Sequence, residues 1–95
     1  ARMRIALSHR IQRQLEHAPQ DLREQLADAV KQLPRALGQP HRHAGLGVRK
    51  IHRRGVYEFR LGRQCRVVFT LPEKDMAMLH LLGNHDDVQR FLDSF

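Results

Sequence analysis

The second half of the chain alternates apolar and polar residues with a period of two, the pattern of half-buried β-strands. A short apolar segment near the beginning of the chain fits a further strand. The predicted strands cover residues 3–7, 48–52, 56–62, 65–71 and 76–83, with a turn at 72–75. Most of the sheet is therefore expected to come from consecutive strands, which favours antiparallel pairing.

The segment that follows the first strand has helical spacing instead. Ser8 has the residue type and position of an N-cap for a short helix with Ile11 and Leu15 on its apolar face. Pro19 suits the first turn of a second helix, and Pro34 is expected to end that helix. The apolar stripe of the second helix consists of Leu22, Leu26, Ala29, Val30 and Leu33. Each helix therefore has one face for a core or a partner.

The end of the sequence, residues 86–95, returns to helical spacing, with Asp86 and Asp87 at the start, where the helix dipole favours carboxylates. Its apolar residues are Val88, Phe91, Leu92 and Phe95. The element order is β-α-α-β-β-β-β-α, or one strand fewer. This order predicts an α+β fold in which two N-terminal helices pack on one face of a mostly antiparallel sheet of four or five strands. Residues 1–95 are expected to form a single domain, with 34–47 as an internal connector.

The strand pair "YEFRLGRQCRVVF" can be registered by matching its apolar side chains. A two-residue turn would place Leu61 opposite Arg66, an apolar residue against a charged one. A three-residue turn over 62–64 places Leu61 opposite Cys65 and Arg60 opposite Arg66. Every apolar residue then meets an apolar partner, so the three-residue turn is predicted.

This register places two arginines, Arg60 and Arg66, side by side on the sheet face away from the N-terminal helices. Like charges at opposing positions destabilise a strand pair. Something should offset the repulsion: either Glu58 bridges the two arginines, or an anion binds between them. Arginines exposed on a solvated sheet face are the ordinary alternative.

Positive charge is concentrated in one folded segment. The 17 Lys and Arg residues exceed the 10 Asp and Glu residues by seven, and 14 of the cations are Arg, whose planar fork matches phosphate oxygens. Between residues 42 and 66, Glu58 alone opposes eight cations. Such a patch suggests an anionic partner, nucleic acid first, with a solvated charged face as the alternative. The eight cations are Arg42, Arg49, Lys50, Arg53, Arg54, Arg60, Arg63 and Arg66.

Seven histidines and one cysteine raise the question of a metal site. His41 and His43 form an H-x-H, and His80 and His85 are five positions apart, but no set of four ligands has zinc spacing. His80 lies mid-strand among leucines and is predicted to be hydrogen-bonded and partly buried. Cys65 has the apolar parity of its strand and is predicted to be a small core residue. No apolar run approaches the roughly 20 residues of a membrane helix, so a cytoplasmic protein is expected.

The segment from "GLGVRKIH" to "VQRF" resembles the RelE/ParE superfamily of toxins of type II toxin–antitoxin systems. Its landmarks are "VRKIH", "YEFRLGRQCRVVF", and "HLLGNHDD" before a terminal helix; the preceding helical pair fits the same layout. RelE-like and HigB-like members are metal-independent endoribonucleases that cut mRNA on the ribosome and inhibit translation. ParE-like members instead poison DNA gyrase and have no hydrolytic site. The resemblance therefore implies one of these two activities, a cognate antitoxin as partner, and no cofactor.

For a ribonuclease, the resemblance also implies catalytic residues. Arg66 matches the family's phosphate-clamping arginine just after the hairpin turn, and Arg60 lies beside it in the predicted register. Lys50 belongs to the basic strand that supplies the family's catalytic lysines. His85 stands where relatives carry Arg or His, and a histidine there can act as acid or base near neutral pH. Further RNA-binding residues are predicted to be Arg49, Arg53, Arg54, Arg63 and His52.

One position departs from the nuclease pattern. Where many nuclease members carry a tyrosine near the 2′-OH, this chain has Gln89, which cannot act as a base. Either His85 carries the proton transfer, or the chain is a weak nuclease or none.

The antitoxin should bring acidic residues to the basic face and an amphipathic element to an apolar edge. Phe91 and Phe95 are expected either at that contact or packed on the chain's own core.

Overall fold

The computed structural model describes residues 3–38 and 46–95, and the element order is the predicted one with all five strands. The predictions on His41, Arg42 and His43 fall outside the described residues. The elements are β1 Arg4–Leu7, α1 His9–Glu16, α2 Gln20–Gly38, β2 Arg49–His52, β3 Val56–Leu61, β4 Cys65–Glu73, β5 Met76–Gly83 and α3 His85–Asp93.

The five strands form one sheet in the order β1-β5-β4-β3-β2, in which β1 is parallel to β5 and the other neighbours are antiparallel. Helices α1 and α2 pack on one face, where Ile11 and Leu33 meet Phe59 and Phe69 in the larger of two apolar clusters. Helix α3 covers part of the other face through Val88, in a smaller cluster. The α+β fold with two N-terminal helices on one sheet face is therefore confirmed.

The chain between β1 and α1 completes the edge of β5 after β1 ends. The Ser8 backbone N–H donates to the Leu79 carbonyl, and the Ser8 hydroxyl donates to the His80 carbonyl over 2.7 Å. One turn into α1, the Gln14 side-chain amide both donates to the Leu82 carbonyl and accepts from the Leu82 N–H. Side chains thus satisfy backbone groups that a longer β1 would have paired, and β5 is left with no open edge there. The Ser8 hydroxyl also accepts from the Ile11 N–H, so the predicted N-cap is confirmed.

Helix α2 continues through Pro34, and the prediction that Pro34 ends it is wrong. A proline in a helix interior lacks one hydrogen bond and crowds the preceding turn. Here Leu33 and Ala36 are both buried in the core, so packing on either side of Pro34 holds the helix together. The ring of Pro34 itself is exposed.

The turn between β4 and β5 is shorter than the predicted 72–75. Strand β4 runs to Glu73, and Asp75 in the remaining turn has a left-handed φ of 62°. The pairing of β4 with β5 shifts between Thr70 and Glu73, which places Pro72 where the ladder is interrupted. A proline is tolerated at such an irregularity because it has no N–H to contribute.

Helix α3 begins with a capping box that the sequence analysis did not identify. The Asn84 side chain accepts from the Asp87 N–H, and the Asp87 carboxylate accepts from the Asn84 N–H, each over 2.9 Å. The pKa of the Asp87 carboxyl is lowered, mainly by the hydrogen bond from the Asn84 N–H and further by the charge of Arg90. This cap fixes the direction in which α3 leaves β5 and therefore the position of His85, its first residue.

Candidate anion-binding site

The hairpin of β3 and β4 has the predicted register. Leu61 pairs with Cys65 and Arg60 pairs with Arg66, around a three-residue turn. Because cross-strand partners share a sheet face, Arg60 and Arg66 lie together on the face opposite α1 and α2. The geometric basis of the predicted site is therefore present, and its details depend on what surrounds the two guanidinium groups.

A buried carboxylate lies beside them. Glu58 is 2% exposed, and its Oε2 accepts from Nε of Arg49 and from Nη1 of Arg66, each over 2.8 Å. Of the two alternatives, a Glu58 bridge between Arg60 and Arg66 is not found, because Glu58 joins Arg66 to Arg49 instead. The reason lies in the register: Arg49 is the direct cross-strand partner of Glu58 on β2.

Arg60 is held in a different way. Its backbone N–H donates to the Leu46 carbonyl over 2.7 Å. This hydrogen bond extends the pairing of β3 to the segment that precedes β2. Its guanidinium group packs against Gly47, which has a left-handed φ of 63°. The ion pairs found within residues 3–38 and 46–95 do not include Arg60. The charge of Arg60 is therefore neutralised less than that of its cross-strand partner Arg66.

These residues line two adjoining clefts. We call the first, of about 160 Å³, the arginine cleft; it is lined by Gly47, Arg49, Glu58, Arg60 and Arg66. We call the second, of about 290 Å³, the histidine cleft; it is lined by Arg49, Lys50, Ile51, Glu58, His85, Val88, Gln89 and Leu92. Arg49 and Glu58 belong to both, so the clefts meet along these two side chains. All four residues predicted to be catalytic line one cleft or the other.

Lys50 approaches the histidine cleft from the side. Its cross-strand partner is Tyr57, which belongs to the face covered by α1 and α2. Because β2 is an edge strand, Lys50 lines the histidine cleft and also an apolar groove beside Leu37. His85 is exposed, and Gln89 lies one turn further along α3 with its amide donating to Asp93.

The residues predicted to bind RNA are divided between the two ends of the sheet. Arg63 is in the exposed turn between β3 and β4, at the end of the sheet where Arg60 pairs with Arg66. His52, Arg53 and Arg54 are in or beside the turn before β3, at the other end. Of the five, Arg49 lines the two clefts directly.

Arg54 and His52 contact the end of the chain. The Arg54 guanidinium donates to the Phe95 carbonyl over 3.2 Å and lies 5.0 Å from the centre of its ring. The His52 ring meets the Phe95 ring edge-on, and Nδ1 of His52 accepts from the backbone N–H of Arg54. Phe91 packs on the smaller apolar cluster, and Phe95 remains 39% exposed. Phe91 is therefore bound to the chain's own core, whereas Phe95 is only partly covered.

His80 and Cys65 lie as predicted. Nε2 of His80 is 2.8 Å from the Thr70 hydroxyl, the ring contacts Phe91 at a tilt of 42°, and partial burial lowers the pKa of His80. Cys65 is half-buried against the larger cluster, and burial is the main cause of the raised pKa of its thiol.

Within the described ranges, no three His, Cys, Asp or Glu side chains are grouped to hold a metal ion. None of the helices described has both the length and the apolar content needed to cross a membrane.

No protein-family model and no curated protein matches the chain. Among solved structures, the archaeal RelE–RelB complex from Pyrococcus horikoshii OT3 superposes with a TM-score of 0.68 at 18% identity, over 88% of this chain and 96% of that one. The chain has a RelE-like fold. The RelB–RelE antitoxin–toxin complex from Methanococcus jannaschii gives a TM-score of 0.64 at 13% identity, over 90% of this chain and 96% of that one. The RelE-like fold therefore spans nearly the whole chain.

Sequence reasoning missed Gly47 and Asn84 as residues that shape the site. Gly47 is only the last residue of the predicted connector 34–47, although a glycine next to a basic strand also permits close approach of a long side chain. Asn84 has the residue type of an N-cap and precedes Asp87 at capping-box spacing, so the signal for it was present.

Proposed function

We propose that this chain is the toxin of a type II toxin–antitoxin system and cleaves mRNA as a metal-independent endoribonuclease. One observation carries the proposal: a small cleft with three guanidinium groups adjoins a larger cleft with an imidazole, and the two share Arg49 and Glu58. The RelE-like fold supports the same reading. Phosphate stabilisation and proton transfer would thus take place in neighbouring clefts.

The arginine cleft suits the charge that develops on phosphorus. Three arginines and one glutamate give it two net positive charges. When a ribose 2′-OH attacks the adjacent phosphate, negative charge accumulates on the phosphoryl oxygens. Fixed guanidinium donors stabilise that charge without a metal ion, because they need no reorganisation at the moment of reaction. Arg60 and Arg66 are the residues assigned to this role.

The histidine cleft would supply the proton transfers. The 2′-OH must lose a proton, and the 5′-oxygen must gain one as it leaves. His85 is the residue with a suitable side chain in this cleft, and Lys50 at its margin adds positive charge near the leaving oxygen. Gln89 lines the same cleft and can orient a ribose hydroxyl through hydrogen bonds without taking its proton.

The remaining basic side chains would bind the flanking RNA backbone. Arg49 and Arg63 are near the clefts, so they would contact the nucleotides next to the cleaved bond. Arg53, Arg54 and His52 would meet RNA further away, at the other end of the sheet. A cognate antitoxin with an acidic segment would compete for the same surface by charge complementarity. We further propose that the ribosome presents the mRNA and that the protein acts in the cytoplasm as part of a stress response.

The test is cleavage of mRNA in a reconstituted translation reaction, with the cut ends mapped by primer extension. Attack by the 2′-OH leaves a 5′-hydroxyl on the downstream fragment, so kinase labelling without prior phosphatase treatment should succeed. Joint substitution of His85→Ala and Arg66→Ala should lower the rate by about 100-fold or more.

Lys74→Ala is the matched control for charge. Lys74 is in the turn between β4 and β5, near the pair Glu73 and Met76, whereas Arg66 pairs with Gly83 at the far end of that ladder. This variant should cleave at the wild-type rate. An unchanged rate in the double variant, or fragments with 5′-phosphates, would refute the site assignment.

A gyrase-directed toxin of the ParE kind is the alternative, favoured by the presence of Gln89 where a tyrosine base is expected. The same purified protein should be added to a gyrase supercoiling reaction. Inhibition of supercoiling, with mRNA left intact in the translation assay, would select this alternative over the ribonuclease.

A further inference from the structure

Glu58 is the one buried charged side chain in the described part of the chain. It occupies the boundary of the two clefts, and the remaining lining charges are positive. Its two partners differ in environment: the Arg49 side chain is 64% exposed, whereas the Arg66 side chain is 25% exposed. A carboxylate in the middle of a site meant for anions needs an explanation, because its charge opposes binding.

The contact geometry limits what Glu58 can do. One oxygen, Oε2, accepts from both arginines over 2.8 Å, and each arginine uses a single donor. A guanidinium group has five N–H donors in a rigid plane, so Arg49 and Arg66 each keep four donors for other acceptors. An oxygen that already accepts two charged hydrogen bonds is poorly placed to take a proton from a ribose. Glu58 is therefore suited to hold the arginines rather than to act as a base.

Holding the arginines in place matters for phosphate recognition. A free arginine side chain loses about 2 kcal/mol of rotamer entropy when it is fixed, and binding must offset that loss. Glu58 fixes Arg66 before any ligand arrives. It also offsets the repulsion between Arg66 and its cross-strand partner Arg60, which would otherwise turn the two guanidinium groups apart.

We propose that Glu58 is a positioning residue that preorganises Arg66 and Arg49 for the transition-state phosphate. This inference rests on the proposed function for its kinetic consequence, although the fixed state of Arg66 can be measured without RNA. The competing role would be inhibitory: Glu58 would occupy Arg66 and have to be displaced by phosphate. The two roles predict opposite effects of neutralising Glu58.

The kinetic experiment compares Glu58→Gln, Arg66→Ala and the double variant in steady-state cleavage of ribosome-bound mRNA, with Lys74→Ala as control. Glu58→Gln preserves shape and removes the charge. We expect kcat to fall about tenfold, the equivalent of one charged hydrogen bond, while KM stays level or falls because the cleft gains net positive charge. In the Arg66→Ala background, the same change should alter kcat less than about twofold, because only the contact with the more exposed Arg49 remains.

Three kinetic outcomes would overturn the proposal. A rise in kcat for Glu58→Gln would indicate competition with phosphate. An equal fall in both backgrounds would show that Glu58 does not act through Arg66. A rise in KM with kcat unchanged would make Glu58 part of ground-state binding only.

A measurement on the wild-type protein covers the case in which Glu58→Gln does not fold or the chain does not cleave RNA. Nitrogen NMR of the arginine side chains reports rotation about the Nε–Cζ bond. We expect separate, slowly exchanging Nη signals for Arg66, and averaged signals for Arg63, which is exposed in the turn after β3. Titration with inorganic phosphate should shift the Arg66 and Arg60 signals while those of Arg66 remain separate. Averaged Arg66 signals in the free protein would refute the positioning role whatever the RNA assay shows.

Discussion

The guanidinium group of Arg60 packs directly against Gly47: a β-carbon built on Gly47 would lie 3.0 Å from Nε of Arg60. Gly47 also has a φ of 63°, which a residue with a side chain adopts at a cost of about 1–2 kcal/mol. We therefore expect Gly47→Ala to lower stability and to displace Arg60 from the arginine cleft. Inorganic phosphate binding, followed by NMR, should weaken severalfold.

Gly55→Ala separates the two effects. Gly55 has a φ of 84°, and apart from Gly55 and its two chain neighbours no described residue has an atom within 4 Å of where its β-carbon would be. It should lose comparable stability in urea unfolding while phosphate binding stays at the wild-type level. If Gly55→Ala and Gly47→Ala weaken phosphate binding equally, the contact between Gly47 and Arg60 does not shape the cleft.

His80 should make stability depend on pH. Burial lowers its pKa below the ordinary value of 6.5, so between the two values the unfolded chain binds more protons than the folded one. This contribution is complete above pH 6.5 and is lost as pH falls below it toward the pKa of the folded protein. Urea unfolding on both sides of pH 6.5 should show the loss in the wild type.

His80→Gln is the control, because a glutamine amide can replace Nε2 at the Thr70 hydroxyl without titrating. The other six histidines remain in the variant and contribute the same slope to both proteins. The variant should therefore lose less stability on acidification than the wild type. Parallel pH profiles for the two proteins would exclude His80 as the source.

Arg54 should stabilise the end of α3 through its contacts with Phe95. Arg54→Ala removes a hydrogen bond to the Phe95 carbonyl and a cation–π contact, so we expect a loss of about 0.5–1 kcal/mol. Amide hydrogen exchange should quicken in the last turn of α3. Arg53→Ala removes the same charge from the same exposed turn and should change stability by less than about 0.5 kcal/mol. Equal effects of the two substitutions would mean that charge, and not the Phe95 contact, is responsible.

The register of β3 and β4 could be predicted because both strands have apolar residues of matching parity. Pairs such as Leu61 with Cys65 leave one arrangement that keeps apolar residues together. The ion pair of Glu58 could not be predicted in this way. It depends on β2, which is mostly polar and contains a register shift between Lys50 and His52. Parity along β2 therefore did not indicate that Arg49, rather than Arg60, would meet Glu58.

The sequence also did not indicate which face of the sheet α3 packs against. Its apolar residues predict a buried stripe, but either face of the sheet could receive it. The deciding contacts are long-range ones of Val88 with Val56, Val68 and Leu81. The consequence for the site is large, because this choice brings His85 to the side of the sheet that also bears Arg66.

Pro34 tests whether core packing can hold a helix together around a residue of very low helix propensity. It lies inside α2, where it cannot donate to the Val30 carbonyl and its ring crowds that group. Pro34→Ala should restore the hydrogen bond. The gain expected from helix propensity is about 3 kcal/mol, reduced by up to about 1 kcal/mol because proline also restricts the unfolded chain. We therefore expect about 2 kcal/mol of added stability, measured as a higher urea midpoint with an unchanged slope.

Pro19→Ala is the matched control for Pro34→Ala. Pro19 precedes the first residue of α2, where an N–H would have no helical acceptor, and its carbonyl already accepts from Arg23. Replacing it should leave stability unchanged or slightly lower. If Pro34→Ala gives no more stability than Pro19→Ala, the helix has already relaxed around Pro34, and the burial of Leu33 and Ala36 holds it without local strain.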